Sequence, residues 1–159
     1  RVYDMDSNIN SDIYHTFGLR AIGYKIRLEF IEYYLSKKIN SPSLVIIDGI
    51  ADLVSDVNNL EESNAVVQKL MEWSAKYNCH IINVIHQNFG STKLGTGHLG
   101  SFLEKKAETV MSLEANTVNK DWITVKCGRS RGYAFDTFSF KVNEIGIPTI
   151  INDLYDPLD

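Results

Sequence analysis

Three groups of residues in this sequence are of the type and in the order that chemistry on a phosphorylated ligand would need. The first is Asp48, which closes the apolar run Leu44-Val45-Ile46-Ile47 and is followed directly by Gly49. A carboxylate at the C-terminal end of a buried strand sits where open α/β sheets bind their ligands. There it can hold a magnesium ion, usually through water, opposite a phosphate chain. It can equally cap the turn into Gly49. The second group is His86-Gln87-Asn88, at the end of the next apolar run, Ile81-Ile82-Asn83-Val84-Ile85. On a neighbouring strand end these side chains would lie beside Asp48, placed to sense a γ-phosphate or orient a water; the plainer reading is a strand that stops and a loop that starts. The third is Lys126-Cys127-Gly128-Arg129-Ser130-Arg131-Gly132. Three cations beside a glycine-bearing turn can project a guanidinium onto a neighbouring subunit's nucleotide, or be a solvated hairpin tip.

The elements that must position these groups follow from periodicity. Leu19, Ile22, Ile26, Phe30 and Tyr33 recur every three or four residues and predict a helix ending near Lys38, stopped by Asn40-Ser41-Pro42. Residues 1–17 before it are polar and aperiodic, an irregular lead-in. Leu44–Ile47 has no alternation, which predicts a strand buried on both faces, as in a parallel sheet. A second helix starts at Leu60, with Asn59 as its cap, Glu62 three residues on and a stripe of Val66, Leu70, Trp73 and Tyr77. Strand, helix, strand with short links predicts a right-handed parallel crossover. Gln87–Gly100 carries four glycines and reads as a mobile loop, followed by a short helix over Leu99–Lys106 and a strand over Thr109–Leu113. Trp122–Cys127, Phe138–Val142 and Ile147–Ile151 alternate as antiparallel strands, and Pro148 places the last at a sheet edge. The expectation is one domain over residues 1–159, a parallel α/β half followed by β-hairpins, with a tail over 153–159.

Composition narrows the function classes. A chain of 159 residues, 44% hydrophobic, can bury a substantial core. Its apolar runs are far too short to span a bilayer, and no charged-then-apolar leader opens it. Two cysteines, Cys79 and Cys127, suit a reduced, cytoplasmic compartment with free thiols. A net charge of −4 gives no general attraction to nucleic acid, so any such contact must be local. The cysteines and histidines lack the C-x-x-C or H-x-x-x-H spacing that would point to zinc.

Taken in order, Val45-Ile46-Ile47-Asp48, His86-Gln87, a glycine-rich loop, and Lys126 with Arg129 or Arg131 resemble the RecA/DnaB/RepA/KaiC superfamily over roughly residues 43–148. Within it, Ile46-Ile47-Asp48-Gly49-Ile50-Ala51-Asp52-Leu53, Val84-Ile85-His86-Gln87-Asn88, Gly97-His98-Leu99-Gly100, Lys106-Ala107-Glu108-Thr109-Val110 and Ser130-Arg131 are similar to a RepA-like ATPase group of mobilisable transposons and plasmids. The resemblance implies a RecA-like, mostly parallel sheet flanked by helices, with C-terminal antiparallel hairpins. It implies ATP and Mg2+ as cofactors, with Asp48 holding the metal through water and His86 and Gln87 sensing the γ-phosphate. Arg131, in preference to Arg129, would act with Lys126 on the neighbouring subunit of a homohexameric ring. Lys93 and His98 would face single-stranded DNA in the channel of a helicase-like motor serving replication or mobilisation.

The sequence departs from that pattern in one respect: no G-x-x-x-x-G-K-[ST] occurs in it. The catalytic glutamate of such cores also has no match. Both elements precede, in the superfamily, the region that begins here at Arg1. The expectation is therefore a C-terminal portion of a RecA-like core that does not hydrolyse ATP at a useful rate alone. Two other readings of the same resemblance are a degenerate, P-loop-less module with an assembly or regulatory role, and a KaiC-like ATPase without DNA binding.

Overall fold

The computed structural model describes residues 13–37, 42–87 and 95–151. The expected tail over 153–159 and most of the lead-in lie outside the described residues. The described ones fall into two compact units, divided between His86 and Gln87.

The first unit contains helix α1 (Tyr24–Lys37), strand β1 (Leu44–Asp48), a 3₁₀ turn (Ile50–Leu53), helix α2 (Leu60–Tyr77) and strand β2 (His80–Val84). β1 and β2 pair in parallel, with Leu44 opposite His80, Ile46 opposite Ile82 and Asp48 opposite Val84. Helix α2 is the crossover between them and it starts as its sequence dictates. The Asn59 side chain accepts a hydrogen bond from the Glu62 amide, Glu61 and Glu62 occupy the first turn and Lys76 the last. Its apolar stripe is buried at Val66, Val67, Leu70 and Trp73, and Ile47, Ile50, Leu53 and Val54 are buried in the same unit. The helix ends where Asn78 takes a left-handed conformation (φ 50°), one that asparagine tolerates better than most residues.

Two expectations fail in this unit. β1 is not buried on both faces: Leu44 is 49% and Ile46 60% exposed, while Ile47 is buried. Among the described residues the parallel sheet has two strands, so an unbroken apolar run acquires a covered face and an open one. The first helix also begins later, and on a different stripe. Residues 19–22 form a turn closed by Ile22 N–H to Leu19 O, and Ile26 and Tyr33 are more than half exposed. The helix instead turns Phe30 and Tyr34 to the lead-in, where Phe17 meets both rings edge-on at centroid distances of 5.0 and 4.8 Å. Aromatic packing against a non-helical segment therefore decides the rotation of α1. Lys69 of α2 ties to Glu32 of α1 at 2.6 Å and keeps that carboxyl below the ordinary carboxylate range. With both groups partly solvated the pair adds at most about 1 kcal/mol.

The second unit contains helix α3 (Gly97–Lys106) and the antiparallel strands β3 (Thr109–Ala115), β4 (Trp122–Ser130), β5 (Phe138–Val142) and β6 (Pro148–Ile151), in the order β3-β4-β5-β6. Pro148 opens the edge strand β6, where a missing N–H costs the ladder least. A correction concerns the basic run, which is not a hairpin tip. β4 continues through Ser130, with Arg129 opposite Val110 and Cys127 opposite Met111. Gly128 is the extra residue of a β-bulge between those pairs.

The loop that precedes α3 is closed at its base by a bridge between Gln87 and Gly95. Gly95 N–H donates to Glu104 Oε1 at 2.7 Å, folding the loop end back on α3. This approach has room for glycine alone: a Cβ on Gly100 would fall on the carbonyl group of Gly95. Replacing Gly100 by alanine should destabilise this unit by about 2 kcal/mol or more. Gly132→Ala, with nothing within 4 Å of the added methyl, should be close to neutral. Urea titrations followed by amide signals of α3 and β3 measure both; equal stability of the two variants would refute the packing argument.

Candidate functional site

The in-register pairing of β1 with β2 brings their C-terminal ends together, and a Cβ built on Gly49 would lie 3.6 Å from Val84 O. An open cleft of about 330 Å³ lies at these ends, lined by Arg20, Asp48, Gly49, Ala51, Asp52, Val84, Ile85 and His86. That volume is at the lower end of small-ligand sites. Asp48 and His86, named from sequence on separate runs, thus line one cleft of the first unit. Asp52 adds a second carboxylate and Arg20 a cation.

The segment after Asp48 is tied from two directions. On one side, Arg27 donates from Nη1 to Asp52 O at 2.7 Å, from Nε to Leu19 O at 3.0 Å and from Nη2 to Arg20 O at 3.2 Å, with Asp52 Oδ2 at 3.4 Å. On the other, Glu62 accepts from Ser55 N–H at 2.8 Å, from Ser55 Oγ at 2.7 Å and from Tyr24 OH at 3.2 Å. A capping-box glutamate would reach back to the cap residue's own amide; here the Glu62 carboxylate anchors Ser55 instead. The hydrogen bond from the Ser55 hydroxyl, followed by that from its amide, holds the Glu62 carboxyl below its ordinary value.

The remaining predicted residues belong to the second unit or lie outside the described residues. Gln87 forms the bridge with Gly95. His98 stands in the first turn of α3, not in a loop, with its ring 6.5 Å from that of Phe102. Lys126 reaches Glu114 on β3 at 2.8 Å. Arg131 donates to Lys105 O at 3.0 Å and Ala107 O at 3.3 Å, and Arg129 Nη1 to Glu104 O at 3.4 Å. These guanidinium groups meet carbonyls at the C-terminal end of α3, where cations suit the helix dipole. Asn88 and Lys93 lie outside the described residues.

Sequence reasoning missed Arg20, Asp52 and Arg27. Asp52 was within reach, as a second acid four residues beyond Asp48. Arg20 and Arg27 precede β1 and have no local pattern that marks them. Among the described residues no three His, Cys, Asp or Glu side chains gather to hold a metal unaided. A magnesium ion carrying waters and ligand phosphates asks for less, one or two carboxylates, and Asp48 with Asp52 fits that demand. Among the described residues, too, no helix is long and apolar enough to cross a membrane.

A scan against protein families finds no match, and no curated protein matches either. Among solved structures the chain is similar to the ATPase domain of a DnaB-like helicase, with a TM-score of 0.60 and 14% identity over 82% of this chain and 52% of that one. The chain therefore spans about half the length of the domain it matches. At this identity the likeness bears on fold, and the fold is that of a RecA-like ATPase domain, as the order of motifs implied.

The carboxylate anchor at Ser55 has a pH signature. A carboxyl held below its ordinary value of 4.5 contributes stability that is present above that value and lost as pH falls through it. Stability measured by denaturant titration should therefore drop between about pH 5 and pH 3, and drop less in Glu62→Gln and Ser55→Ala. Parallel pH curves for wild type and both variants would contradict the anchor.

Proposed function

We propose that this chain supplies the magnesium-side part of a nucleotide site in a RecA-like ATPase. The observation that carries the reading is the convergence of Asp48 and His86 on one cleft at adjacent ends of parallel strands, in a chain with this fold. In such a site Asp48, aided by Asp52, holds the hydrated magnesium of Mg-ATP. His86 and Gln87 report on the γ-phosphate. A phosphate-binding loop completes the site from sequence that is not in this chain, so the cleft binds Mg-nucleotide weakly and does not turn it over. In the assembled protein, a ring of identical subunits, Arg131 with Lys126, and Arg129 beside them, act on the neighbouring subunit's phosphates. Lys93 and His98 contact single-stranded DNA, and the ring works as a helicase-like motor in replication or mobilisation of a mobile element.

A second reading is a P-loop-less module that assembles with or regulates another ATPase. It is favoured by the missing G-x-x-x-x-G-K-[ST] and by the internal partners of Lys126, Arg129 and Arg131. The two readings differ in what the cleft does.

Mg-ATP added to the chain should shift the amide resonances of residues 48–52 and 84–86, and Asp48→Asn should reduce that response at least about ten-fold in affinity, as expected for losing a charged contact to the bound metal. Mg-ATP that leaves these resonances unmoved in the wild-type chain would remove the nucleotide reading and leave the regulatory one.

A further inference from the structure

The described residues include four arginines, and three of them are committed. Arg27 holds Leu19, Arg20 and Asp52, and Arg129 and Arg131 hold carbonyls at the end of α3. Arg20 differs. Its backbone carbonyl is taken by Arg27, whereas its guanidinium has no ion pair or hydrogen bond among the described residues, and it lines the cleft with Asp48, Asp52 and His86. The nearby acid Asp52 is already within 3.4 Å of Arg27, so a waiting counter-ion for Arg20 is not built into the cleft.

Arg27 is unusual in a complementary way. It stands in the first turn of α1, where the helix dipole disfavours a cation, and its side chain is only 15% exposed. A guanidinium placed against the dipole and mostly withdrawn from water must be held by its contacts. Those contacts join two backbone segments, residues 19–20 and the 3₁₀ turn that follows Asp48. The planar fork of arginine can serve three carbonyls and a carboxylate at once; the point charge of lysine cannot.

We propose that Arg20 is a phosphate-binding cation of the Asp48 cleft, and that Arg27 is the positioning residue that fixes the Arg20 backbone relative to Asp48 and Asp52. The inference rests on the nucleotide reading and adds a cation supplied by the same chain, from a segment preceding β1. The ligand class is the polyphosphate chain of a magnesium-bound nucleotide. The two carboxylates take the metal side, and the guanidinium takes non-bridging phosphate oxygens, the planar, bidentate recognition for which arginine is suited.

Binding of AMP, ADP and ATP to the chain, each with Mg2+ at low ionic strength, tests this by calorimetry. In the wild-type chain affinity should rise with each added phosphate. Arg20→Ala should weaken Mg-ATP roughly ten-fold or more while changing AMP little, which flattens the series; Arg20→Lys should restore part of the slope. Arg27→Lys should weaken Mg-ATP as well, with amide shifts confined to residues 19–20 and 50–53, and so report lost positioning in a folded protein. A series as steep in Arg20→Ala as in wild type, with Asp48→Asn still weakening it, would overturn the role of Arg20 and leave the metal-side site intact. Mg-ATP that fails to bind the wild-type chain would remove the nucleotide reading and this inference together. Equal losses for AMP and ATP in Arg20→Ala would mark a structural residue and likewise overturn the proposal.

Discussion

The first unit depends on the parallel pairing of β1 with β2, five residues in register from Leu44–His80 to Asp48–Val84. A parallel pair needs a crossover, and α2 supplies it with Val66, Val67, Leu70 and Trp73 buried. Because parallel strands end at the same edge, Asp48 and the Ile85-His86 segment leave the sheet together. A slip of one residue would turn Ile47 to the open face and Ile46 inward, and would carry the carboxylate away from the cleft. Burial thus specifies the register, and the register specifies the site.

What could be read from the sequence follows from that dependence. Two continuous apolar runs joined by a capped amphipathic helix leave little freedom, so the convergence of Asp48 and His86 was legible in the residues alone. The open face of β1 was not. An apolar run states that a strand can be buried on both sides, not that something lies there, and Ile46 is 60% exposed. The solved domain with this fold is about twice as long as the matching region, so the described chain need not contain every layer that such a sheet packs against. Gly128 misled for a different reason. Glycine among cations reads as a turn, yet a bulge uses the same residue to let a strand continue. Arg20 and Arg27 were illegible because their meaning lies in contacts across 25 residues of sequence, between Arg27 and Asp52, which no local spacing encodes.

The two units secure their loops by the same means. In the first, one guanidinium and one carboxylate, Arg27 and Glu62, hold the backbone on either side of the 3₁₀ turn. In the second, Glu104 holds the end of the glycine loop through Gly95 N–H, while Arg129 and Arg131 hold the carbonyls at the far end of the same helix. Charged groups bonded to backbone rather than to one another make stronger single contacts than neutral pairs. They also fix a loop without demanding a particular side chain on it.

These backbone contacts bear on what Arg131 can do under the proposed reading. Its two bonds to Lys105 O and Ala107 O are exposed, and each such bond is worth on the order of 1 kcal/mol net, somewhat more with a charged donor. Releasing both would cost roughly 2–4 kcal/mol. A guanidinium that reaches a neighbour's transferring phosphate gains a factor of about 10³–10⁵ in rate, or roughly 4–7 kcal/mol of transition-state stabilisation. That gain exceeds the cost of release, but only when a neighbour's nucleotide is present. An arginine parked on the end of α3 is therefore compatible with a finger that acts in an assembled ring, and its resting contacts would link that action to the helix that anchors the glycine loop.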